Sequence, residues 1–94
     1  MTCNRIIYSE HAITQMFSRN ISISDVEDVL KDGEIIEEYP DDKPYPSQLL
    51  LAFLNKRPLH VVNAFEAIEK ICIIVTAYEP EIHLWINNFK TRKK

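Results

Sequence analysis

Glycine is almost absent from this chain, which has only Gly33 among its 94 residues. A phosphate-binding loop at the start of a nucleotide-binding helix needs several glycines, so that class of site is excluded. The chain is also too short for a (β/α)8 barrel or a doubly wound dinucleotide-binding fold. It contains no apolar run of about 18 residues, so we predict no membrane-spanning helix. What remains is a single small globular domain.

Cysteine is scarce as well. Cys3 and Cys72 are 69 positions apart, and that spacing matches neither a redox pair nor a zinc site. We therefore predict two reduced thiols, no metal and no other cofactor. The first residues lack the apolar stretch of a secretion signal, which predicts a cytoplasmic protein with no membrane partner.

Charge is unevenly distributed along the sequence. The acidic segment, residues 25–42, holds nine acidic residues and only one basic residue, and so carries a net charge of −8. The whole chain carries −3, which leaves +5 on the rest, mostly in the basic tail, residues 90–94. This pattern indicates either a solvated acidic surface with a frayed basic tail, or a positive face for nucleic acid and an acidic face for a basic partner.

Two helices are predicted near the N-terminus. Ser9 is placed to cap a first helix that extends to about Arg19. Ser22 or Ser24 is placed to cap a second helix, which Gly33 ends. The apolar residues spaced as on a buried helix face are Ala12, Ile13, Met16 and Phe17 in the first helix and Val26, Val29 and Leu30 in the second.

The remaining sequence predicts four strands and a last helix. Apolar segments separated by short turns indicate strands over residues 34–39, 48–54, 59–65 and 71–78. Helical spacing then returns at Ile82, Trp85, Ile86 and Phe89, and predicts a helix over residues 81–92. The predicted fold class is α+β, with N-terminal helices packed on a four-stranded antiparallel sheet and a C-terminal helix.

Imidazole and phenol groups are the candidates for proton transfer. His11 lies in the first turn of a helix, where the dipole favours its neutral form and suits a general base; the structural alternative is a surface position. His60 lies in a central strand and is either a proton donor at the sheet surface or a hydrogen-bonded core residue. Tyr78 ends a strand, and either stacks on a base, donates a proton or only packs.

Four further residues are candidates for binding RNA or its phosphates. Arg19 is able to hold a phosphate bidentately, or to pair with the second helix. Lys56 and Arg57 lie at a turn, where they either contact phosphate or are simply solvated. Thr76 precedes Tyr78 on the same strand and is a candidate for the same RNA contacts.

Several motifs extend over nearly the whole chain. They include Ser9-Glu10-His11-Ala12, Gly33-Glu34-Ile35-Ile36, Tyr39-Pro40-Asp41-Asp42, Pro58-Leu59-His60-Val61-Val62 and Thr76-Ala77-Tyr78-Glu79-Pro80. In these motifs the chain resembles a widespread family of small bacterial domains of unknown function. That family is in turn distantly similar to the RelE/ParE-like toxins of toxin–antitoxin systems. The resemblance implies one RelE-like domain over residues 1–94, with recurrent residues at His11, Arg19, His60, Thr76 and Tyr78.

The leading hypothesis is a toxin-like RNA endonuclease that needs no metal. RNA contains its own nucleophile, the 2′-hydroxyl, so the protein has only to move protons and stabilise the phosphate. In this hypothesis His11 and His60 act as base and acid on one face of the domain, and Arg19 and Arg57 hold the phosphate. RNA or the ribosome, and an antitoxin protein, are the implied partners.

A non-catalytic protein-interaction module of the same fold is the alternative, for which the acidic segment favours a basic partner. A topoisomerase-directed inhibitor, which the toxin relatives permit, is the third hypothesis.

Overall fold

A computed structural model describes residues 2–93, so Met1 and the last residue of the basic tail, Lys94, lie outside the described residues. The elements in chain order are Arg5–Tyr8 (β1), Glu10–Ser18 (α1), Ile23–Asp32 (α2), Glu34–Tyr39 (β2), Ser47–Leu54 (β3), Arg57–Glu66 (β4), Ile71–Tyr78 (β5), Trp85–Ile86 (β6) and Thr91–Arg92 (β7).

Both helices begin at the serines that the sequence offers as caps. The Ser9 hydroxyl accepts a hydrogen bond from the Ala12 amide at 3.0 Å. Ser22, and not Ser24, caps α2: its hydroxyl accepts from the Asp25 amide at 2.9 Å, and the Asp25 carboxylate accepts from the Ser22 amide at 3.0 Å. This reciprocal pair satisfies two amides that have no partner inside the helix.

The main sheet has five strands in the order β1-β5-β4-β3-β2. Strand β1 runs parallel to β5, and the other neighbouring pairs are antiparallel. The prediction of a four-stranded antiparallel sheet is therefore wrong. Strand β1 has only four residues, too few for a periodicity to appear in the sequence, and its pairing depends on an edge that β5 supplies from far along the chain.

The predicted C-terminal helix over residues 81–92 is also wrong. Strands β6 and β7 form a small antiparallel hairpin instead. The three consecutive residues Asn87, Asn88 and Phe89 have φ between 54° and 68°, a left-handed conformation that ends any right-handed helix and that asparagine adopts more readily than most residues. The helical spacing of the apolar residues gave no indication of this conformation.

The two faces of the main sheet have different neighbours. Leu50, Val61 and Ala77 lie in one row across β3, β4 and β5, and they belong to the core that the two helices cover. The adjacent row contains His60 and Tyr78, and by strand alternation its side chains leave the opposite face. The C-terminal hairpin packs on that opposite face, which thereby carries the candidate functional residues.

Cys3 and Cys72 form a disulfide, with their Cα atoms 5.7 Å apart. The prediction of two reduced thiols is therefore wrong, because the parallel pairing of β1 with β5 brings together residues that are remote in sequence. A disulfide is typical of oxidising compartments, so the thiol argument no longer supports a cytoplasmic location, which stays a prediction. Among residues 2–93, no helix is long and apolar enough to cross a membrane.

Candidate functional site

His60 is the centre of a chain of hydrogen bonds on the sheet face opposite the helices. Its side chain is fully buried, with 0% exposure. The ring atom Nε2 lies 2.8 Å from the carbonyl oxygen of Phe89, and Nδ1 lies 3.2 Å from the hydroxyl of Tyr78. A carbonyl oxygen can only accept, so Nε2 carries the proton of the neutral ring. Nδ1 then accepts a hydrogen bond from the Tyr78 hydroxyl.

Burial keeps both members of this pair neutral. Desolvation lowers the pKa of His60, and the Phe89 carbonyl, which favours the imidazolium, only partly offsets it. Desolvation also raises the pKa of Tyr78; nearby Tyr39 raises it further, and the positive charge of Arg92 lowers it. The neutral Tyr78 phenol donates a hydrogen bond to the neutral His60 imidazole. It can therefore pass its proton to His60 when another group delivers a proton to the Tyr78 oxygen.

The Tyr78 side chain opens onto a cleft of about 190 Å³, called here the Tyr78 cleft. Its lining residues are Gln15, Arg19, Tyr78, Glu79, Glu81, Leu84, Trp85 and Arg92. The Trp85 ring also meets the His60 ring edge-on, with centroids 4.4 Å apart. The Arg92 guanidinium lies 5.7 Å from the Trp85 ring centre. The cleft thus combines a phenol, an indole, two guanidinium groups and the carboxylates of Glu79 and Glu81.

Hydrogen bonds from α1 to the end of β5 bring Arg19 to the cleft. At the start of α1, the Ser9 hydroxyl donates to the Val75 carbonyl at 2.9 Å, and the Ser9 amide donates to the Ile74 carbonyl at 3.0 Å. These bonds fix the helix beside the part of β5 that extends beyond β1. Gln15 of α1 and Arg19, the residue that follows this helix, therefore reach the cleft.

Arg57 fixes the other end of α1. Its guanidinium donates to the carbonyl oxygens of Arg19 at 2.7 Å and Asn20 at 3.1 Å, and it pairs with the Glu79 carboxylate at 2.8 Å. Asn20 has φ 56°, which lets the chain turn tightly there. Arg57 thus contacts the main chain at the cleft and partly offsets the charge of Glu79. Its predicted contact with phosphate stays a prediction.

The other predicted site residues lie apart from the pair of His60 and Tyr78. His11 is exposed on α1, one turn before Gln15, whereas the His60 ring leaves the sheet on the face away from the helices. Strand alternation places His60 on the sheet face opposite the helical layer that carries His11, and the joint role of the two histidines stays a prediction. Lys56 is exposed in the tight turn between β3 and β4. Thr76 is half-buried on β5, opposite Val62.

Three contributors to the site escaped the sequence prediction. The sequence predicted that Trp85 and Phe89 are core residues of a helix, and that Arg92 belongs to a frayed basic tail. The left-handed turn of the hairpin instead directs the Phe89 carbonyl to His60 and places Arg92 over Trp85. No local pattern in the sequence indicated these three roles, because they depend on the left-handed turn of the hairpin.

A larger cavity of about 580 Å³, called here the acidic cavity, lies at the end of β2. It is lined by Glu38, Tyr39, Pro40, Asp41, Asp42, Ser47 and Val62. Its three carboxylates make it unsuitable for a phosphate. Within residues 2–93, no three His, Cys, Asp or Glu side chains come together as metal ligands do.

His60 gives the protein's stability a pH dependence of definite sign. Because burial lowers its pKa from 6.5, the folded state binds this proton less readily than the unfolded chain does. The contribution of the buried, neutral His60 to the free energy of unfolding is complete above the pKa of this histidine in the unfolded chain. It is lost as the pH falls from there toward the lower pKa of His60 in the folded protein. Between about pH 7.5 and about pH 5.5, urea titrations of the wild type should show the free energy of unfolding falling by up to about 1.4 kcal/mol per pH unit.

The matched variants for this measurement are His60→Gln and His11→Gln. The first removes the buried imidazole and should flatten the pH dependence. The second removes an exposed imidazole and should leave the wild-type dependence in place. An unchanged dependence in His60→Gln would contradict the assignment of this proton to His60.

Comparison with known proteins identifies a family for this chain. A family model described as Domain of unknown function (DUF4258) matches residues 8–79. The match spans His11, Arg19, His60 and Tyr78, and it ends before the C-terminal hairpin that contributes Trp85 and Arg92. No curated protein and no solved structure matches the chain. The more distant similarity to RelE/ParE-like toxins stays a prediction.

Proposed function

The chain belongs to the DUF4258 family, and from this premise we propose that it is an RNA endonuclease that works without a metal ion. A family of unknown function supplies no reaction, so the proposal depends on the chemistry of the site. The observation that carries it is the hydrogen-bond chain from Tyr78 through His60 to the Phe89 carbonyl, beside two arginines.

In the proposed reaction, the 2′-oxygen of RNA attacks the adjacent phosphorus, and the bond from phosphorus to the 5′-oxygen breaks. The Tyr78 oxygen takes the proton of the 2′-hydroxyl as Tyr78 passes its own proton to Nδ1 of His60. The Phe89 carbonyl accepts from Nε2 and stabilises the imidazolium that results. The departing 5′-oxygen takes a proton from water, because the cleft is open to solvent.

Arg19 and Arg92 are the groups proposed to bind the phosphate. Charge builds up on its two free oxygens in the transition state, and guanidinium groups stabilise such charge from fixed positions. The backbone of Arg19 is held by Arg57, and the Arg92 guanidinium lies over Trp85. The Trp85 indole also offers a flat face on which a base is able to stack. His11 and Lys56 have no role in this scheme.

The test is cleavage of a single-stranded RNA by the purified protein, with and without ribosomes and in the presence of EDTA. We expect products with a 2′,3′-cyclic phosphate at one end and a 5′-hydroxyl at the other. Arg19→Gln and Arg92→Gln should each lower the cleavage rate by about 10²-fold, the scale for loss of one transition-state donor.

Lys31→Gln is the matched control, because it removes one exposed positive charge on α2, away from the cleft. It should cleave like the wild type. Equal losses in all three variants would indicate a nonspecific electrostatic effect. Absence of cleavage by folded wild-type protein, with and without ribosomes, would contradict the proposed function.

A non-catalytic module that binds a basic partner is the second candidate. The observation that favours it is the acidic segment, which the fold presents on α2, on β2 and in the loop after β2. The two functions use different residues, so the cleavage assay addresses only the first.

A further inference from the structure

Strand β2 is an edge of the main sheet. It pairs only with β3, so among the described residues its outer side has no strand partner. An edge of this kind presents backbone amides and carbonyls in the spacing that another extended chain requires. The register shift between Ile35 and Glu37 bends the strand but leaves residues on both sides of it in the sheet.

The side chains of β2 combine apolar surface with negative charge. Ile35 and Tyr39 are 45% and 40% exposed. Glu34, Glu37 and Glu38 are also exposed, and each contributes a negative charge along the edge. The chain's own Lys90 already pairs with Glu34 at 3.1 Å, an example of the basic group that this edge accepts.

The acidic cavity continues the same edge. Tyr39, the last residue of β2, lines it together with Glu38, Asp41 and Asp42. The buried Ser47 hydroxyl donates to the Asp42 carboxylate at 2.7 Å and so fixes it at the cavity wall. An aromatic ring beside carboxylates matches the chemistry of a guanidinium group, which stacks on rings and forms bidentate bonds to carboxylates.

We infer that the outer edge of β2 binds an extended, arginine-rich segment of a partner protein, which adds a strand to the sheet and places one arginine in the acidic cavity beside Tyr39. The partner's backbone supplies the strand pairing, its apolar residues cover Ile35, and its basic residues meet the glutamates. The inference does not depend on RNA cleavage, because it uses no residue of the Tyr78 cleft.

The charge of the edge decides among the possible occupants. A nucleic acid strand is repelled by the same glutamates that attract arginine. A second copy of this chain would place one row of glutamates against another, which is one way in which proteins prevent edge-to-edge association. A basic protein segment is the occupant that gains both the hydrogen bonds and the ion pairs.

The probe is a synthetic decapeptide in which arginine alternates with valine, blocked at both ends. One control peptide has glutamate in place of arginine, and another has N-methyl groups on alternate amides, which block strand pairing. Affinity is measured by fluorescence anisotropy, and protection of the β2 amides by hydrogen exchange. We expect binding and protection with the arginine peptide alone.

Two double variants of the protein carry the same change in charge. Glu37→Lys with Glu38→Lys alters the edge, and we expect it to weaken binding by more than about tenfold. Asp28→Lys with Asp32→Lys alters exposed positions on α2, and it should change the affinity by less than about threefold. Tyr39→Ala should weaken binding while leaving the charge unchanged.

Three results would overturn the inference. One is equal weakening by the two double variants, which would indicate attraction to overall charge. Another is equal binding of the N-methylated peptide, which would exclude strand pairing. The third is no binding of the arginine peptide by folded wild-type protein.

Discussion

Tyr78→Phe is expected to lower the rate of RNA cleavage by about 10²- to 10⁴-fold, the range for loss of a positioned proton-transfer group. The substitution removes one oxygen atom, which donates to His60 Nδ1 at 3.2 Å, and keeps the ring that packs against His60. The loss should appear in kcat, because binding of the RNA phosphate belongs to Arg19 and Arg92. Single-turnover cleavage at saturating protein measures it directly.

Tyr45→Phe is the matched control for this experiment, because it removes a phenol oxygen from the exposed loop between β2 and β3. It should cleave at the wild-type rate, as should His11→Ala. His60→Gln should lose as much activity as Tyr78→Phe, since the two side chains act as one relay. Full activity in Tyr78→Phe, with the fold confirmed by circular dichroism, would refute the relay.

Cys3→Ser is expected to lower the free energy of unfolding by about 4 kcal/mol, the loop-closure value for a cross-link of about 70 residues. The disulfide to Cys72 spans 69 positions of the chain, so it removes a large part of the freedom of the unfolded state. The free energy of unfolding of a single domain is only about 5–15 kcal/mol, so the expected loss is a large fraction of the total stability. Urea titrations of the oxidised wild type and the variant give the difference.

A reductant provides the control within the same experiment. Dithiothreitol should bring the wild type close to the stability of Cys3→Ser and should leave the variant itself unchanged. Cys3 is the residue to replace, because it is half-buried, whereas Cys72 is fully buried and its substitution would also disturb the core. A wild type that reductant does not destabilise would contradict the stabilising role of the bond.

The elements that could be predicted are those with local signals. Ser9 and Ser22 start the helices because their hydroxyls satisfy free amides close in sequence. The strands from β2 to β5 follow one another through short connections, so apolar runs and turns were enough to find them. Strand β1 and the C-terminal hairpin depend on distant pairing and on left-handed backbone angles, which apolar spacing does not encode.

The candidate site was predictable only in part, for the same reason. His60, Tyr78 and Arg19 were singled out by residue type, and the fold places Tyr78 beside both of the others. The pairing of His60 with a carbonyl depends on the path of the hairpin and not on any side chain at position 89. Separation of the two histidines follows from which face of the sheet each element occupies, which no single segment reveals.

The disulfide also determines how the chain would respond to tension. A force applied to the two ends of the described chain passes from Cys3 to Cys72 through the covalent bond, and so bypasses the 68 residues between them. Both helices and strands β1 to β4 lie within that bypassed length. Pulling would therefore extend the chain only outside the disulfide loop, so the hairpin over His60 would detach while the residues between Cys3 and Cys72 could not be drawn out.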